Sequence, residues 1–137
     1  MARTYRAKPD QLSKVIDDVL TEYGSNVTAG VKEATKRVAK IAMQETKAKS
    51  PVGTGPKKGR YKKGWRVKEE VLSRLQSGAI VHNRTDYQLA HLLEKGHALR
   101  RGGRTYGQTK AIVHIAPAEQ QAIKNLEEAV RRIAKEG

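Results

Sequence analysis

Two histidines and a glutamate lie close together near the middle of the chain, in the order His91-x-x-Glu94-x-x-His97. Imidazole and carboxylate groups are common zinc ligands, so this spacing suggests a metal-dependent hydrolase as one hypothesis. On a helix, however, positions six apart point about 120° away from each other, and Gly96 is expected to end the helix before His97. The spacing therefore favours structural roles for these side chains over a metal site.

Other kinds of catalytic site find little support in the sequence. The absence of cysteine excludes a disulfide framework, a thiol nucleophile and a thiolate metal site. Residues 53–59 are rich in glycine but lack the Gly-x-x-x-x-Gly-Lys-Ser/Thr order of a phosphate loop, and no Ser-His-Asp or paired-carboxylate arrangement is evident from local spacing. We therefore expect no enzyme activity, no cofactor, no resident metal and no small-molecule substrate.

Positive charge is the strongest chemical signal. The chain has 28 Lys and Arg against 14 Asp and Glu, a formal net charge of +14. Much of the excess lies in two glycine-rich segments without acidic residues, 51–63 and 98–110, which either keep the surface solvated or contact DNA phosphates or an acidic partner. The candidate contact residues are Lys57, Lys58, Arg60, Lys62, Lys63, Arg66, Arg100, Arg101 and Arg104.

A long N-terminal helix should precede the first of these segments. Apolar residues recur at steps of three and four from Pro9 to about Lys49, and the following Ser50-Pro51 pair should end the helix. Its weak point is residues 24–26, where a kink or a short break can form. The first basic segment, 51–63, is then predicted to be a flexible loop. A helix of this length over a core limited to aliphatic side chains suggests packing against neighbouring subunits.

Residues 64–115 are predicted to form a small antiparallel sheet of three to four strands with a short helix inserted at 86–95. The second basic segment is expected to be a loop, and the turn between the first two strands should lie near residues 76–78. Three strands are predicted: residues 65–71, where apolar and polar residues alternate imperfectly; residues 79–83, which are short and β-branched; and residues 111–115.

The inserted helix should be capped by Asp86 or Thr85 and followed by Gly96. We expect Glu94 to form an ion pair with Arg100 or Arg104. The apolar side chains of the inserted helix are predicted to lie in the core: Tyr87, Leu89, Leu92 and Leu93.

A C-terminal helix, 116–137, completes the predicted fold. Its apolar face is formed by Ala122, Ile123, Leu126, Val130 and Ile133. The whole chain, 1–137, is thus expected to be a single α+β domain. The basic N-terminus is followed by no apolar run, so neither a secretory signal nor a membrane span is expected.

Short motifs along the chain also occur together in an ordered series. They are Ser50-Pro51-Val52-Gly53-Thr54-Gly55, Gly64-Trp65-Arg66-Val67, Val81-His82-Asn83, Tyr87-x-Leu89-x-His91-Leu92-Leu93-Glu94-x-Gly96-His97, Gly102-Gly103-Arg104 and His114-Ile115-Ala116-Pro117-Ala118. Over residues 45–135, and most specifically over 83–118, this series resembles the tailed-phage family of tail-completion, neck or head-tail joining proteins. Among these residues, Asn83, Gly96 and Gly103 are expected to shape the backbone.

The resemblance implies a structural protein of the virion rather than an enzyme. It implies a homo-oligomeric ring, expected to contain six copies, at the head-proximal end of the tail, assembled in the host cytoplasm. Its partners would be head-completion or connector proteins, tail-tube or tail-terminator proteins, and duplex DNA bound without sequence preference in the lumen. The alternative from composition alone is a free-standing basic nucleic-acid-binding protein.

Overall fold

The computed structural model of the chain describes residues 8–71 and 77–136. Within these residues the chain has an α+β fold, as predicted. Short 3₁₀ turns at Pro9–Gln11 and Tyr87–Leu89 lead into the first and third helices. The helices are α1 (Leu12–Lys49), α2 (Arg60–Lys63), α3 (Ala90–Lys95) and α4 (Ala116–Glu136), and the strands are β1 (Trp65–Val71), β2 (Ser77–Asn83), β3 (Ala98–Arg101) and β4 (Arg104–Gln108).

The long N-terminal helix is confirmed, and it continues through Gly24 without a break. Its 38 residues span about 57 Å at 1.5 Å per residue. Ser50 ends the helix with extended backbone angles, φ −69° and ψ 142°, as expected for a residue that precedes proline. No helix in the described part of the chain is long and apolar enough to cross a membrane.

Helix α4 packs antiparallel along α1. The Tyr23 hydroxyl donates a 2.7 Å hydrogen bond to the carbonyl of Ala134, and Ile133 lies against Gly30. The buried apolar core of the described residues is small and rich in alanine: Ala34, Val38, Ala39, Ala42, Tyr61, Trp65 and Ala118. The apolar face predicted for α4 is only partly correct, because Ile123 is 54% exposed.

Gly24 offers a test of this helix. Gly24→Ala is expected to stabilise the protein by about 1 kcal/mol, because alanine favours the helix and no heavy atom lies within 4 Å of the new Cβ. Gly30→Ala is the matched control: its Cβ would lie 2.9 Å from Ile133 Cγ2, so crowding should cancel the gain. Urea unfolding followed by circular dichroism measures both, and equal gains would contradict the packing of α4 on α1.

The strands form two antiparallel pairs rather than one sheet. β1 pairs with β2 in the register Trp65↔Asn83 to Val71↔Ser77, which confirms the first two predicted strands. Of the turn predicted between them, Gln76 lies outside the described residues, whereas Ser77 and Gly78 belong to β2. The second basic segment, predicted as a loop, contains the hairpin of β3 and β4.

The strand predicted at 111–115 is wrong. The Ile112 amide donates to the carbonyl of Leu93 at 2.7 Å, and the His114 and Ile115 amides donate to the Glu94 carboxylate at 2.7 and 2.9 Å. Because a side chain satisfies backbone donors that a neighbouring strand would otherwise satisfy, the β-branched residues of this segment follow an irregular path.

Two further predictions need correction. Residues 60–63, predicted as loop, form α2, which begins after Gly59 at φ +80° and buries Tyr61. The short helical segment that contains α3 has no fully buried residue, so Tyr87, Leu89 and Leu92 are exposed and not core. The segment is attached through its backbone and Glu94, which leaves the outer apolar side chains uncovered by any described element.

Candidate functional site

Several motif residues meet in a buried cluster where the end of α1, α2 and β1 come together. Trp65 is 4% exposed, and its Nε1 donates a 2.7 Å hydrogen bond to Ser50 Oγ. The Ser50 hydroxyl in turn donates to the Thr46 carbonyl at 2.6 Å. The motif positions 50 and 65 therefore fix the exit of the chain from α1 against the first strand.

The imidazole of His114 lies fully buried at the centre of this cluster. Its Nδ1 is 2.7 Å from the Ile112 carbonyl, which can only accept, so Nδ1 carries a hydrogen. In the neutral ring Nε2 then accepts a 2.7 Å hydrogen bond from the Tyr61 hydroxyl. The rings of Tyr61, Trp65 and His114 contact each other edge to face at centroid distances of 5.6 to 6.0 Å. Burial, then the charges of Glu94 and Asp86, raise the pKa of Tyr61 to about 12.

Glu94 holds the start of α4. Its carboxylate accepts from the backbone amides of His114, Ile115 and Ala116 at 2.7, 2.9 and 2.8 Å, and Oε2 lies 3.0 Å from His114 Nδ1. Burial raises the pKa of Glu94, but the three amides and His114 outweigh this and leave it below its ordinary value. The predicted pairing with Arg100 or Arg104 is wrong, because the carboxylate faces the helix N-terminus instead.

Asn83 shapes the turn after β2, as predicted. Its Oδ1 accepts from the backbone amides of Thr85 and Asp86 at 3.2 and 2.8 Å, and its Nδ2 donates to the Tyr61 carbonyl at 2.7 Å. A methyl group at Gly64 would contact Asn83 Oδ1 at 2.7 Å. The side-chain amide therefore connects the turn to α2 across a contact that only glycine permits.

Asp86 and Arg60 form a bidentate ion pair beside this turn. Arg60 Nε donates to Asp86 Oδ2 at 2.9 Å, and Nη2 donates to Oδ1. The hydrogen bond from Arg60 lowers the pKa of Asp86 and raises that of Arg60. Asp86 makes no side-chain cap of the following 3₁₀ turn, so the predicted cap is wrong. Arg60 is committed to this pair and is a poor candidate for DNA contact.

The structure places the three residues of the metal hypothesis in different environments. Glu94 faces the α4 amides, His97 Nδ1 lies 3.1 Å from Thr109 Oγ1, and His91 is exposed. Nowhere in residues 8–71 and 77–136 do three or more His, Asp or Glu side chains gather to hold a metal ion. The series Tyr61, His114 and Glu94 has the order of a proton relay, yet it is enclosed by protein and stabilises the fold.

Three of the exposed cations lie together at the tip of the β3–β4 hairpin. Gly102 and Gly103 form its turn at φ +58° and +78°, and the neighbouring arginines make no ion pair with any described residue. These arginines are Arg100, Arg101 and Arg104.

The cations of the first basic segment and of neighbouring Arg66 differ from one another in exposure and in their partners. Lys57, Lys58 and Lys63 are exposed, whereas Lys62 is half-buried. The charge of Lys57 acts on Asp86. Arg66 donates to the carbonyls of Lys63 and Trp65 at 2.7 and 2.8 Å, which fixes its guanidinium along β1. Some cations of this segment therefore bind groups of the fold, whereas the arginines at the hairpin tip have no acidic partner among the described residues.

The remaining motif residues belong to turns and element ends. Thr54 and Gly55 are exposed after Pro51, and Pro117 lies in the first turn of α4. Leu93 accepts from Ile112 through its carbonyl. Gly96 adopts φ +73° and ψ 168° directly after α3.

Sequence reasoning did not identify Ser50, Tyr61, Asp86 and His114 as members of one cluster. Tyr61 and His114 are 53 positions apart and Arg60 and Asp86 are 26 apart. Two signals were available: His114 occurs in a motif quoted for the resemblance, and Asp86 is one of few acids in a basic region. Neither signal names the partner residue.

The buried polar groups thus support the chain's own backbone, while cations and apolar side chains lie on the outside. Residues 10–96 match the family model HK97-gp10-like, described as "Bacteriophage HK97-gp10, putative tail-component". The match covers more than half of the chain, and the chain belongs to this family.

The extent of the match is informative. It begins near the start of α1, well before residue 45, and ends at Gly96, inside the run that gave the most specific resemblance. The resemblance to a phage tail component is confirmed, and the long helix belongs to the matched region. No curated protein and no solved structure matches the chain.

Proposed function

We propose that this tail component is a non-enzymatic structural subunit of a ring at the head-tail junction, through which duplex DNA passes. The observation that carries the proposal is the β3–β4 hairpin, whose three arginines are exposed and have no acidic partner among the described residues. Six copies at +14 each would carry +84, which attracts a polyanion without reading its sequence.

The same subunit would contact protein partners above and below the ring. Head-completion or connector proteins would lie on one side, and tail-tube or tail-terminator proteins on the other. Exposed apolar side chains on α1, α3 and α4 supply surface for such contacts, and they include Leu20, Leu92 and Ile123. The place of action is the neck of the virion, after assembly in the host cytoplasm.

The mass of the purified protein in solution tests the ring, measured by light scattering across concentration and salt, with and without short duplex DNA. A closed ring, or a monomer that closes when phage connector components are added, is expected. A stable monomer that binds DNA tightly and never assembles would replace the proposal with a free-standing nucleic-acid-binding protein.

The hairpin arginines can be tested separately. The triple variant Arg100→Gln, Arg101→Gln and Arg104→Gln should lower affinity for duplex DNA by roughly tenfold or more at low salt. The slope of the logarithm of the binding constant against the logarithm of salt concentration should become less steep by about 2 to 3 per subunit. Fluorescence anisotropy across a salt series measures both quantities.

The control carries the same charge change on α4, through Lys124→Gln, Arg131→Gln and Arg132→Gln. These cations are exposed and belong to α4, not to the hairpin. If both triple variants lose affinity equally, net charge explains the binding and the hairpin does not contact DNA.

A further inference from the structure

The first three turns of α1, from Leu12 to Glu22, extend beyond the contact with α4. Helix α4 ends beside Tyr23, so this arm of about 16 Å has no described helix alongside it. Leu12, Ile16 and Leu20 are 54%, 48% and 62% exposed. They share one face with Val15 and Val19, in the i, i+3, i+4, i+7, i+8 pattern by which amphipathic helices enter apolar grooves.

An open apolar groove of about 580 Å³ lies near the other end of α1. The groove is lined by Ala42 and Thr46 of α1, by residues 79–83 of β2 and by Ala118 and Ala122 of α4, with Trp65 and Tyr87 also in its lining. The small side chains of α1 and α4 leave room that larger apolar groups can fill.

The charges around the arm and the groove are complementary. The arm has exposed carboxylates at Asp17 and Asp18, and its exposed cation, Lys14, lies on the face opposite the apolar side chains. Beside the groove, exposed Lys68 of β1 is the cross-strand partner of Ile80, and Arg66, which donates to two backbone carbonyls, is the partner of His82. Glu69, the cross-strand partner of Ala79, forms an ion pair with Lys36. Exposed Arg84 follows β2, and Glu119 is the acid among the residues that line the groove.

We propose that the α1 arm of one copy docks into the apolar groove of a second copy of this chain. The occupant cannot be the same copy's arm, because Ile16 and Thr46 lie about 45 Å apart along one helix. Leu12, Ile16 and Leu20 fill the groove, and the arm's carboxylates face the cations of β1 and Arg84. The contact is heterologous, since different surfaces meet, and such contacts generate rings when the rotation closes.

The inference rests on the proposed self-assembly and names the surfaces that would carry it. Because the sequence contains no cysteine, introduced cysteines report proximity without background. Single variants Ile16→Cys and Ala122→Cys, mixed under mild oxidation, are expected to form a disulfide-linked heterodimer. One chain with both changes should give a ladder of covalent oligomers. The control pair is Thr21→Cys with Ala122→Cys, because Thr21 lies on the opposite face of α1.

A second variant measures the energetic contribution. Ile16→Asp should weaken self-association by roughly tenfold to hundredfold in sedimentation experiments, because it places a charge in the groove. Thr21→Asp adds the same charge on the opposite face and should have little effect.

The outcomes separate this inference from the proposed ring. If assembly persists in Ile16→Asp and the arm and groove cysteines link no more than the control pair, the ring stands and the arm-groove contact is overturned. The arm and groove cysteines would likewise link no more than the control pair if residues 1–7 occupied the apolar face of the arm. Disulfides between two Ile16→Cys copies would show an arm-to-arm contact, and this result would also overturn the arm-groove contact. Disulfides between the arm and groove cysteines without formation of a closed ring would support the arm-groove contact and contradict the proposed ring.

Discussion

Glu94→Ala is expected to destabilise the protein by about 3 kcal/mol or more, because it leaves three backbone donors at the start of α4 without their acceptor. The change also removes the carboxylate next to His114. Glu94→Gln keeps the size of the side chain and one acceptor oxygen, so about 1 to 3 kcal/mol is expected for the loss of charge. Urea unfolding monitored by circular dichroism and Trp65 fluorescence measures both variants.

The pH dependence should identify the same carboxylate. The pKa of Glu94 is lower in the folded protein than its ordinary value, so its stabilising contribution is complete above that ordinary value. The contribution is lost as the pH falls through the folded pKa, where the unfolded chain already binds the proton. The wild type should therefore lose stability on acidification more steeply than Glu94→Gln, and parallel pH profiles would contradict this role.

Glu119→Gln is a suitable control for both measurements. Glu119 also lies in the first turn of α4, but its side chain is exposed. A loss at Glu119 as large as that at Glu94 would show that general charge at the helix start, and not the three amide contacts, stabilises this junction.

Helix periodicity and proline placement were sufficient to predict the long helices. The apolar steps from Pro9 to Lys49 and the Ser50-Pro51 stop describe α1 as the structure has it, because both signals act within a few residues. The β1–β2 pair was predicted for the same reason. Local sequence pattern thus fixes the elements that dominate the core.

The segment 111–115 shows where such reasoning fails. Its β-branched residues favour a strand, yet Glu94, some twenty positions away, satisfies the amides of His114 and Ile115. A tertiary contact of this kind outweighs local propensity, and no spacing rule connects the two segments. The exposure of Tyr87 and Leu89 has a related cause, because apolar spacing predicts a shared face but not what covers it.

The candidate contact residues were predicted as a set, and the structure separates them by their partners. Arg60 and Arg66 bind groups of the fold, whereas no acidic partner of the hairpin arginines lies among residues 8–71 and 77–136. The sequence alone gives no reason to treat these cations differently, because Asp86, which pairs with Arg60, lies 26 positions away. The remaining contact assignments, with DNA or with neighbouring subunits, stay predictions.

Gly96→Ala is expected to destabilise the protein by about 3 to 5 kcal/mol and to loosen the base of the β3–β4 hairpin. At φ +73° and ψ 168°, the backbone occupies a region that is essentially restricted to glycine. A Cβ there would also lie 2.5 Å from the Thr109 carbonyl oxygen, a backbone atom that has little freedom to move. Gly103→Ala is the matched control: its φ is +78°, but nothing lies within 4 Å, so about 1 kcal/mol is expected.

Hydrogen exchange can show whether the effect of Gly96→Ala begins at the hairpin base. The Thr109 amide donates to the His97 carbonyl at 2.8 Å, and the His97 amide donates to Thr109 Oγ1 at 2.8 Å. Both amides should lose protection in Gly96→Ala before the amides of α1 do, while Gly103→Ala leaves them protected. Because the hairpin presents three arginines with no acidic partner in the described part of the chain, a loosened base should also weaken the proposed DNA binding without any change in net charge. Uniform loss of protection along the chain would instead assign Gly96 to global stability and not to the surface proposed to contact DNA.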